Sequence, residues 1–214
     1  MTDPIFEETA DRPLVRIIDD EPAVCEAISD LLASVGIATV SYTSARQFLE
    51  VDAKQRPGCV VLDVRMPNLG GLDLQVEMQA CSITLPIVFV TGHGDIPMSV
   101  RAMKAGAIDF LPKPFNDQAL IDAVNAANER DATQRSRFAR TADLKERLTL
   151  LNTGEQEVMT LTAQGLKIRD IAARLGVSEI TVKVRRARVM HKMGVTSVAE
   201  LARLHDAAKD STGE

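Results

Sequence analysis

Short apolar runs that stop on an acid or a hydroxyl recur along the first half of the chain, with amphipathic stretches between them. Residues 15–19 and 59–63 are largely apolar and end on Asp19 and Asp63, and 86–91 ends on Thr91. Residues 37–42 and 107–111 read as two further strands. Between these, 22–35, 44–52, 71–80 and 97–105 read as helices, and another begins near Phe115. In the first, Val24, Ile28, Leu31, Leu32 and Val35 share a face and Gly36 closes the helix. Strands that are continuously apolar, rather than alternating, are buried on both faces. Five strand–helix units of this kind predict an α/β domain, a parallel sheet covered by helices on both sides.

The rest of the chain is patterned differently. From Phe115 to Thr153 there is neither proline nor glycine. Leu120, Ile121, Val124 and Ala127 form a stripe that docks a helix on the first domain; 128–143 are polar apart from Phe138; Leu144, Leu148 and Leu151 then resume at i, i+4, i+7. A single helix over this stretch would reach roughly 50 Å at about 1.5 Å per residue, and a linker frayed in its polar middle fits equally well. From Asn152 onward every segment has helical spacing, over 155–164, 168–175, 179–193 and 198–208. Asn152 and Glu155 have capping-box spacing, and Ser178 and Ser197 are candidate N-caps. The expected organisation is an α/β domain over 1–125, a helical linker over 126–148 and an all-α, four-helix domain over 149–214.

The net charge of −5 argues against a nucleic-acid partner only while the chain is taken whole. Between Lys167 and Lys192, eight basic residues face only Asp170 and Glu179, leaving +6 in that window and −11 elsewhere. A basic patch on an acidic protein is the footprint of a DNA-binding module joined to something else. Cys25, Cys59 and Cys81 are scattered and lack metal-like spacing, which suits buried thiols in a reducing cytosol. With no leader-like start after Met1 and no apolar run of about 18 residues, a cytoplasmic protein without a membrane span is expected.

In an open parallel sheet, ligands sit beyond the carboxyl ends of the strands. Those ends carry Asp19, Asp20, Asp63 and Thr91, with Lys113 shortly after the fifth strand. Three carboxylates so close repel one another unless a cation joins them, and Mg²⁺ (or Mn²⁺) suits such oxygen donors at a site that handles phosphate. A carboxylate held there can attack phosphorus, while metal, Lys113 and Thr91 neutralise the phosphoryl oxygens. Each piece alone has a plainer reading, a solvated acidic loop or a surface lysine. The ordered set is far more specific.

These residues resemble the receiver domains of two-component systems over most of 13–125. The matching motifs are Ile17-Ile18-Asp19-Asp20-Glu21, Val61-Leu62-Asp63-Val64-Arg65-Met66-Pro67 with Gly70-Gly71, Val90-Thr91-Gly92, and Asp109-Phe110-Leu111-Pro112-Lys113-Pro114-Phe115. The resemblance implies a flavodoxin-like sheet of order 2-1-3-4-5 and makes Asp63 the phosphoryl acceptor from a sensor histidine kinase. Asp20, Asp63 and the Arg65 carbonyl would ligate the metal, with Asp19 acting mainly through water. Thr91 would hydrogen-bond the phosphoryl group and Lys113 would pair with it. Phe110 takes the aromatic switch position, where a plain core phenylalanine is the rival reading because it lacks the tyrosine hydroxyl. Arg65 and His93 flank the pocket. The activating change would surface on the fourth helix, fifth strand and fifth helix.

Ala172, Gly176 and Val182 supply the small crossing residue, the turn residue and the apolar anchor that a helix-turn-helix needs. On the following helix, Val182, Val189 and Met193 share the face expected to be buried. Ile180, Val184, Ala187 and His191 lie opposite with Lys183 beside them, and Arg185, Arg188 and Lys192 line one flank. In a major groove, Lys183 would reach bases, Val184 or Ile180 thymine methyls, and Arg185, Arg186, Arg188 and Lys192 phosphates. Solvated helix faces are the plainer reading of each.

Residues 152–201 resemble the C-terminal domain of the NarL/FixJ regulators through Gly165-Leu166, Ile171-Ala172, Leu175-Gly176-Val177-Ser178 and Thr181-Val182-Lys183-Val184. Arg185 stands where histidine is frequent, Ala187 is small at a commonly base-facing position, and Thr153-Gly154 replaces the usual Pro-Arg. The resemblance implies a transcription factor rather than an enzyme, binding double-stranded DNA as a homodimer through its last helix at Val198, Leu201, Ala202 and Leu204. Two rival readings remain at this level: a phosphorelay component whose basic domain binds a protein, and a DNA-binding protein whose receiver pairs without phosphorylation.

Overall fold

The computed structural model describes residues 12–51, 56–92 and 96–212. Its strands are β1 (Leu14–Ile18), β2 (Ala38–Tyr42), β3 (Gly58–Asp63), β4 (Ile87–Thr91) and β5 (Asp109–Pro112). They pair in parallel in the order β2-β1-β3-β4-β5, the doubly wound arrangement expected. The connecting helices are α1 (Pro22–Ser34), α2 (Ala45–Val51), α3 (Gly71–Ala80) and α4 (Ile96–Lys104), followed by α5 (Asp117–Thr149).

Strand periodicity divides the core into two layers. Val15, Ile17, Cys59, Val61, Val88 and Val90 pack with Cys25, Ile28 and Leu32 of α1 and Leu120, Val124 and Ala127 of α5. Their alternates, Ile18, Val60, Leu62, Ile87 and Phe89, pack with Phe48, Leu74, Met78 and Ala102 on the other face. Every residue of β3 and β4 is buried, which explains why those runs read as continuously apolar.

The fifth strand begins two residues later than its apolar pattern suggests. Ala107 donates its N–H back to Ala102 O at 3.1 Å, where Gly106 turns out of α4 at φ +93°. Its apolar side chain is buried, but its backbone closes a helix. The polar stretch after Ala127 is helical throughout α5, and Asp52, expected at the end of the second helix, lies outside the described residues.

The chain divides into two compact units between Gln134 and Arg135, within α5. The second unit comprises the last turns of α5 with α6 (Thr153–Ala163), α7 (Ile168–Leu175), α8 (Glu179–Met193) and α9 (Val198–Thr212). Leu144, Leu148 and Leu151 pack there against Met159, Val189, Met193 and Leu201, so the segment read as linker contributes core to this unit. Val158, Leu161, Ile171, Ala172 and Val182 form a second cluster. Asn152 and Glu155 make the reciprocal capping box at the start of α6, and Ser178 caps α8 by accepting Thr181 N–H at 3.1 Å. Among the described residues no helix is long and apolar enough to cross a membrane.

One backbone contact tests the sheet directly. Gly58 has φ +139°, and a Cβ there would lie 2.0 Å from Leu14 O. Gly58→Ala should therefore lower stability by on the order of 3 kcal/mol. Urea unfolding checks this, and a midpoint equal to wild type would show that β1 and β3 do not meet this closely.

Candidate functional sites: an acidic rim and a basic helix

Parallel pairing places the ends of β1, β3 and β4 along one edge, and the buried side chains of Asp19, Asp63 and Thr91 gather there. Lys113, just after β5, donates its own N–H to Thr91 O at 2.7 Å, which carries its side chain to the same rim. Its Nζ lies 2.6 Å from Asp19 Oδ2 and 2.9 Å from Asp63 Oδ1. The outer oxygens are held by backbone: Asp63 Oδ2 accepts Arg65 N–H at 2.6 Å and Asp19 Oδ1 accepts Glu21 N–H at 2.9 Å. Asp20 is exposed beside Asp19.

The electrostatics follow from burial and this one ammonium. Burial pushes the Asp63 carboxyl above its ordinary value; Lys113 and the Arg65 N–H pull against it, and the Asp19 charge adds to the rise. Burial would lower Lys113, but its bonds to Asp19 and Asp63 outweigh that and raise it. The lysine therefore stays charged between two acids.

The loop after Asp63 is tightly wound. Gly71 donates to Val64 O at 2.9 Å, Asn68 adopts φ +67°, and a Cβ on Gly71 would come within 2.2 Å of Asp63 O. Arg65 is exposed, and His93 lies outside the described residues. Phe110 is half-buried against Phe89, with ring centroids 6.1 Å apart and planes tilted by 42°.

The donor set suits a hard divalent cation. Mg²⁺ commonly takes one or two carboxylates and completes its shell with water and phosphate oxygens. Asp19 and Asp63 are two such carboxylates on one edge, with Asp20 next in sequence. Among the described residues no three acidic, histidine or cysteine side chains gather closely enough to form a metal site unaided.

In the second unit, Gly176 ends α7 in the left-handed conformation, φ +66° and ψ 31°, as a helix-turn-helix requires. Val182, Val189 and Met193 are buried, whereas Ile180, Lys183, Val184, Ala187, Arg188 and His191 are exposed along α8. The remaining basic residues are placed differently from the expectation of a single phosphate-facing flank. Lys192 Nζ lies 2.6 Å from Glu155 Oε2 and 3.0 Å from Leu150 O. Arg185 is half-buried over Gly154, where a Cβ would stand 2.7 Å from Nη1. Arg186 is also half-buried. Periodicity puts Lys192 on that flank, but no spacing rule reveals that a buried glutamate from α6 takes its charge. In α9, Leu201 is fully buried and Leu204 packs beside the same core, leaving Val198 as the exposed apolar residue among those expected to pair copies.

Sheet, rim and helix-turn-helix together define a class, and the comparisons agree with it: the chain belongs to the response regulators that join a receiver domain to a LuxR-type DNA-binding domain. The family model "Response regulator receiver domain" matches residues 15–125, and "Bacterial regulatory proteins, luxR family" matches 150–205. Nodulation protein W of Bradyrhizobium diazoefficiens is 46% identical over 199 residues, covering 93% of this chain and 88% of that protein. Transcriptional regulatory protein FixJ of Azorhizobium caulinodans is 43% identical, covering 89% and 90%. Among solved structures, response regulator StyR superposes with a TM-score of 0.85 at 44% identity, covering 92% of this chain and 99% of that one. The protein is thus a phosphorylation-regulated, DNA-binding transcription factor and not an enzyme, with a sensor kinase as the partner that a receiver implies.

The Glu155–Lys192 contact has a measurable consequence. Lys192, then the Asn152 N–H, hold the Glu155 carboxyl below its ordinary value of 4.5. A carboxyl whose folded value is depressed stabilises the fold above its unfolded value and loses that contribution as pH falls through the folded one. Glu155→Gln should lower the melting temperature at pH 7 and by less at pH 4. An equal decrease at both pH values would show that the charge contributes nothing.

Proposed function

We propose that Asp63 is the phosphoryl acceptor and that its modification controls DNA binding by the second unit. The observation that carries this reading is the Lys113 ammonium held between buried Asp63 and Asp19 at 2.9 and 2.6 Å. An Asp63 oxygen attacks the phosphorus of a kinase phosphohistidine, forming an acyl phosphate as the P–N bond breaks. The electron pair of that bond leaves with the imidazole. Asp20, Asp63 and the Arg65 carbonyl would hold Mg²⁺ (or Mn²⁺), with Asp19 through water, and the bound ion would neutralise charge on the phosphoryl oxygens. Lys113 then turns its charge from the Asp63 carboxylate to the new phosphoryl group, and the Thr91 hydroxyl donates to it.

The phosphorylated state is a population shift between two packings, with Phe110 following Thr91 and altering the face formed by α4, β5 and α5. Ile96, Val100 and Met103 already stand exposed at i, i+4, i+7 on α4, which supports pairing of two receivers there. Functionally, 1–125 acts as receiver, 126–148 as helical connection and 149–214 as DNA reader, working in the cytoplasm where bacterial DNA lies. On DNA, Lys183 reads base edges, Ile180, Val184 and Ala187 meet thymine methyls, and Arg186 and Arg188 contact phosphates. Arg185 and Lys192 serve chiefly to hold α8 against α6.

Beryllofluoride with Mg²⁺ should raise the affinity of the wild-type chain for its operator and leave Asp63→Asn unchanged. Gel-shift titration checks this, and an equal gain in both proteins would remove Asp63 from the role.

The DNA face separates by salt dependence. Arg188→Ala should weaken all duplexes alike and reduce the slope of log affinity on log salt by about one. Lys183→Ala should cost about 1–3 kcal/mol at one base position and relax preference there. A uniform loss from Lys183→Ala, seen in competition across single-base operator variants, would make it a phosphate contact instead.

A further inference from the structure

The strand that ends on Asp63 begins on a second buried polar contact. Gly58, at the opposite end of β3, donates its N–H to Asp131 Oδ2 of α5 at 2.9 Å. Asp131 is 2% exposed, and Arg16 of β1 is also fully buried, its guanidinium donating to Leu14 O at 2.9 Å and Arg56 O at 3.0 Å. Burial pushes the thiol of neighbouring Cys59 up to about 12, with Arg16 pulling down and Asp131 adding to the rise.

Asp131 occupies a position that helix periodicity would give to an apolar residue. Leu120, Val124 and Ala127 are buried against the sheet, and Asp131 is the next residue on that stripe. Burying a carboxylate is costly unless it is hydrogen-bonded, and an apolar residue in such a place is often no less stable. An apolar side chain tolerates small rotations of a helix. A carboxylate that accepts a backbone N–H does not, because rotation breaks that bond and costs both groups. The contact lies three residues before the end of the first compact unit, in the helix that continues into the second.

We propose that Asp131 is a positioning residue for signalling, fixing the rotational setting of α5 where it leaves the receiver, so that phosphorylation at Asp63 reaches the DNA-binding unit through β3 and this bond. The inference rests on Asp63 being the acceptor, as read above. The physical link is one fully buried strand with Asp63 at one end and Gly58 at the other. A displacement at the acidic rim is carried along β3 to Gly58 and passed to α5 through Asp131.

The test compares full-length wild type, Asp131→Leu and Asp131→Asn. Leucine continues the apolar stripe without an acceptor, whereas asparagine keeps an oxygen for Gly58 N–H. Fluorine NMR of beryllofluoride with Mg²⁺ reads occupancy at Asp63, melting reads the fold, and gel shift reads the gain in operator affinity. Asp131→Leu should bind beryllofluoride like wild type yet lose about fivefold or more of the gain, while Asp131→Asn retains most of it. An undiminished gain in Asp131→Leu, or an equal loss in both variants, overturns the latch. No gain in wild type overturns the Asp63 reading itself, and the latch with it. If Asp131→Leu does not fold, hydrogen exchange in wild type decides: beryllofluoride should change protection of Gly58 and residues 128–134 together, and a change confined to either overturns the proposal.

Discussion

An ammonium placed between two buried carboxylates makes the acidic edge of this sheet possible. Without Lys113, Asp19 and Asp63 would set like charges side by side in a region that water barely reaches, with no ammonium between them. A neutral carboxylic acid is a poor nucleophile toward phosphorus. Lys113 thus sets a charge of opposite sign against both the Asp63 and the Asp19 carboxylates. The geometry that permits this is set by the fold: parallel strands in the order found bring the ends of β1, β3 and β4 together, and the N–H of Lys113 on Thr91 O adds the fifth strand's contribution.

The second unit meets a related difficulty with the opposite sign. Eight basic residues in a window of two helices repel one another, and a helix that must present charge to DNA needs a firm seat. Glu155 supplies part of it. Its carboxylate caps α6 through the Asn152 N–H and grips Lys192 of α8, so one buried acid joins two helices. Arg147 adds a second tie by donating to Met193 O at 2.9 Å, at the exposed carbonyl end of α8. Lys167, Arg169 and Arg174 stay exposed at α7, and on α8 what remains outward is Lys183 and Arg188 around an apolar strip of Ile180, Val184 and Ala187.

The sequence was most legible where periodicity and chemistry coincided. Both faces of the sheet, the helix-turn-helix anchors Ala172, Gly176 and Val182, and the capping box at Asn152 all depend on short-range spacing, and the structure realises each. The rim was legible for another reason: strand ends in a parallel sheet must converge, so any acids there must meet. Burial of polar groups was not legible. Arg16 interrupts an apolar run, and Asp131 stands at a stripe position in a polar stretch; either reads as a solvated residue until its partner is known. The same is true of Lys192, whose partner lies 37 positions away. The fifth strand was misplaced by two residues because Ala107 satisfies a burial pattern with its side chain and a helix terminus with its backbone.

These hidden polar contacts share a property that apolar packing lacks. The clusters around β3 would accept many aliphatic substitutions at modest cost, since volume and patterning matter more there than identity. The bonds of Asp131 to Gly58, Lys113 to Asp63 and Glu155 to Lys192 each admit one geometry and penalise departures from it. A regulator needs both kinds of interaction. Aliphatic layers supply stability that survives small rearrangements, whereas a few directional contacts define which arrangements are distinct states. In this chain the directional contacts occur at both ends of β3 and where α8 meets α6, so the Asp63 end of β3 is one of the few places where geometry as well as burial is constrained.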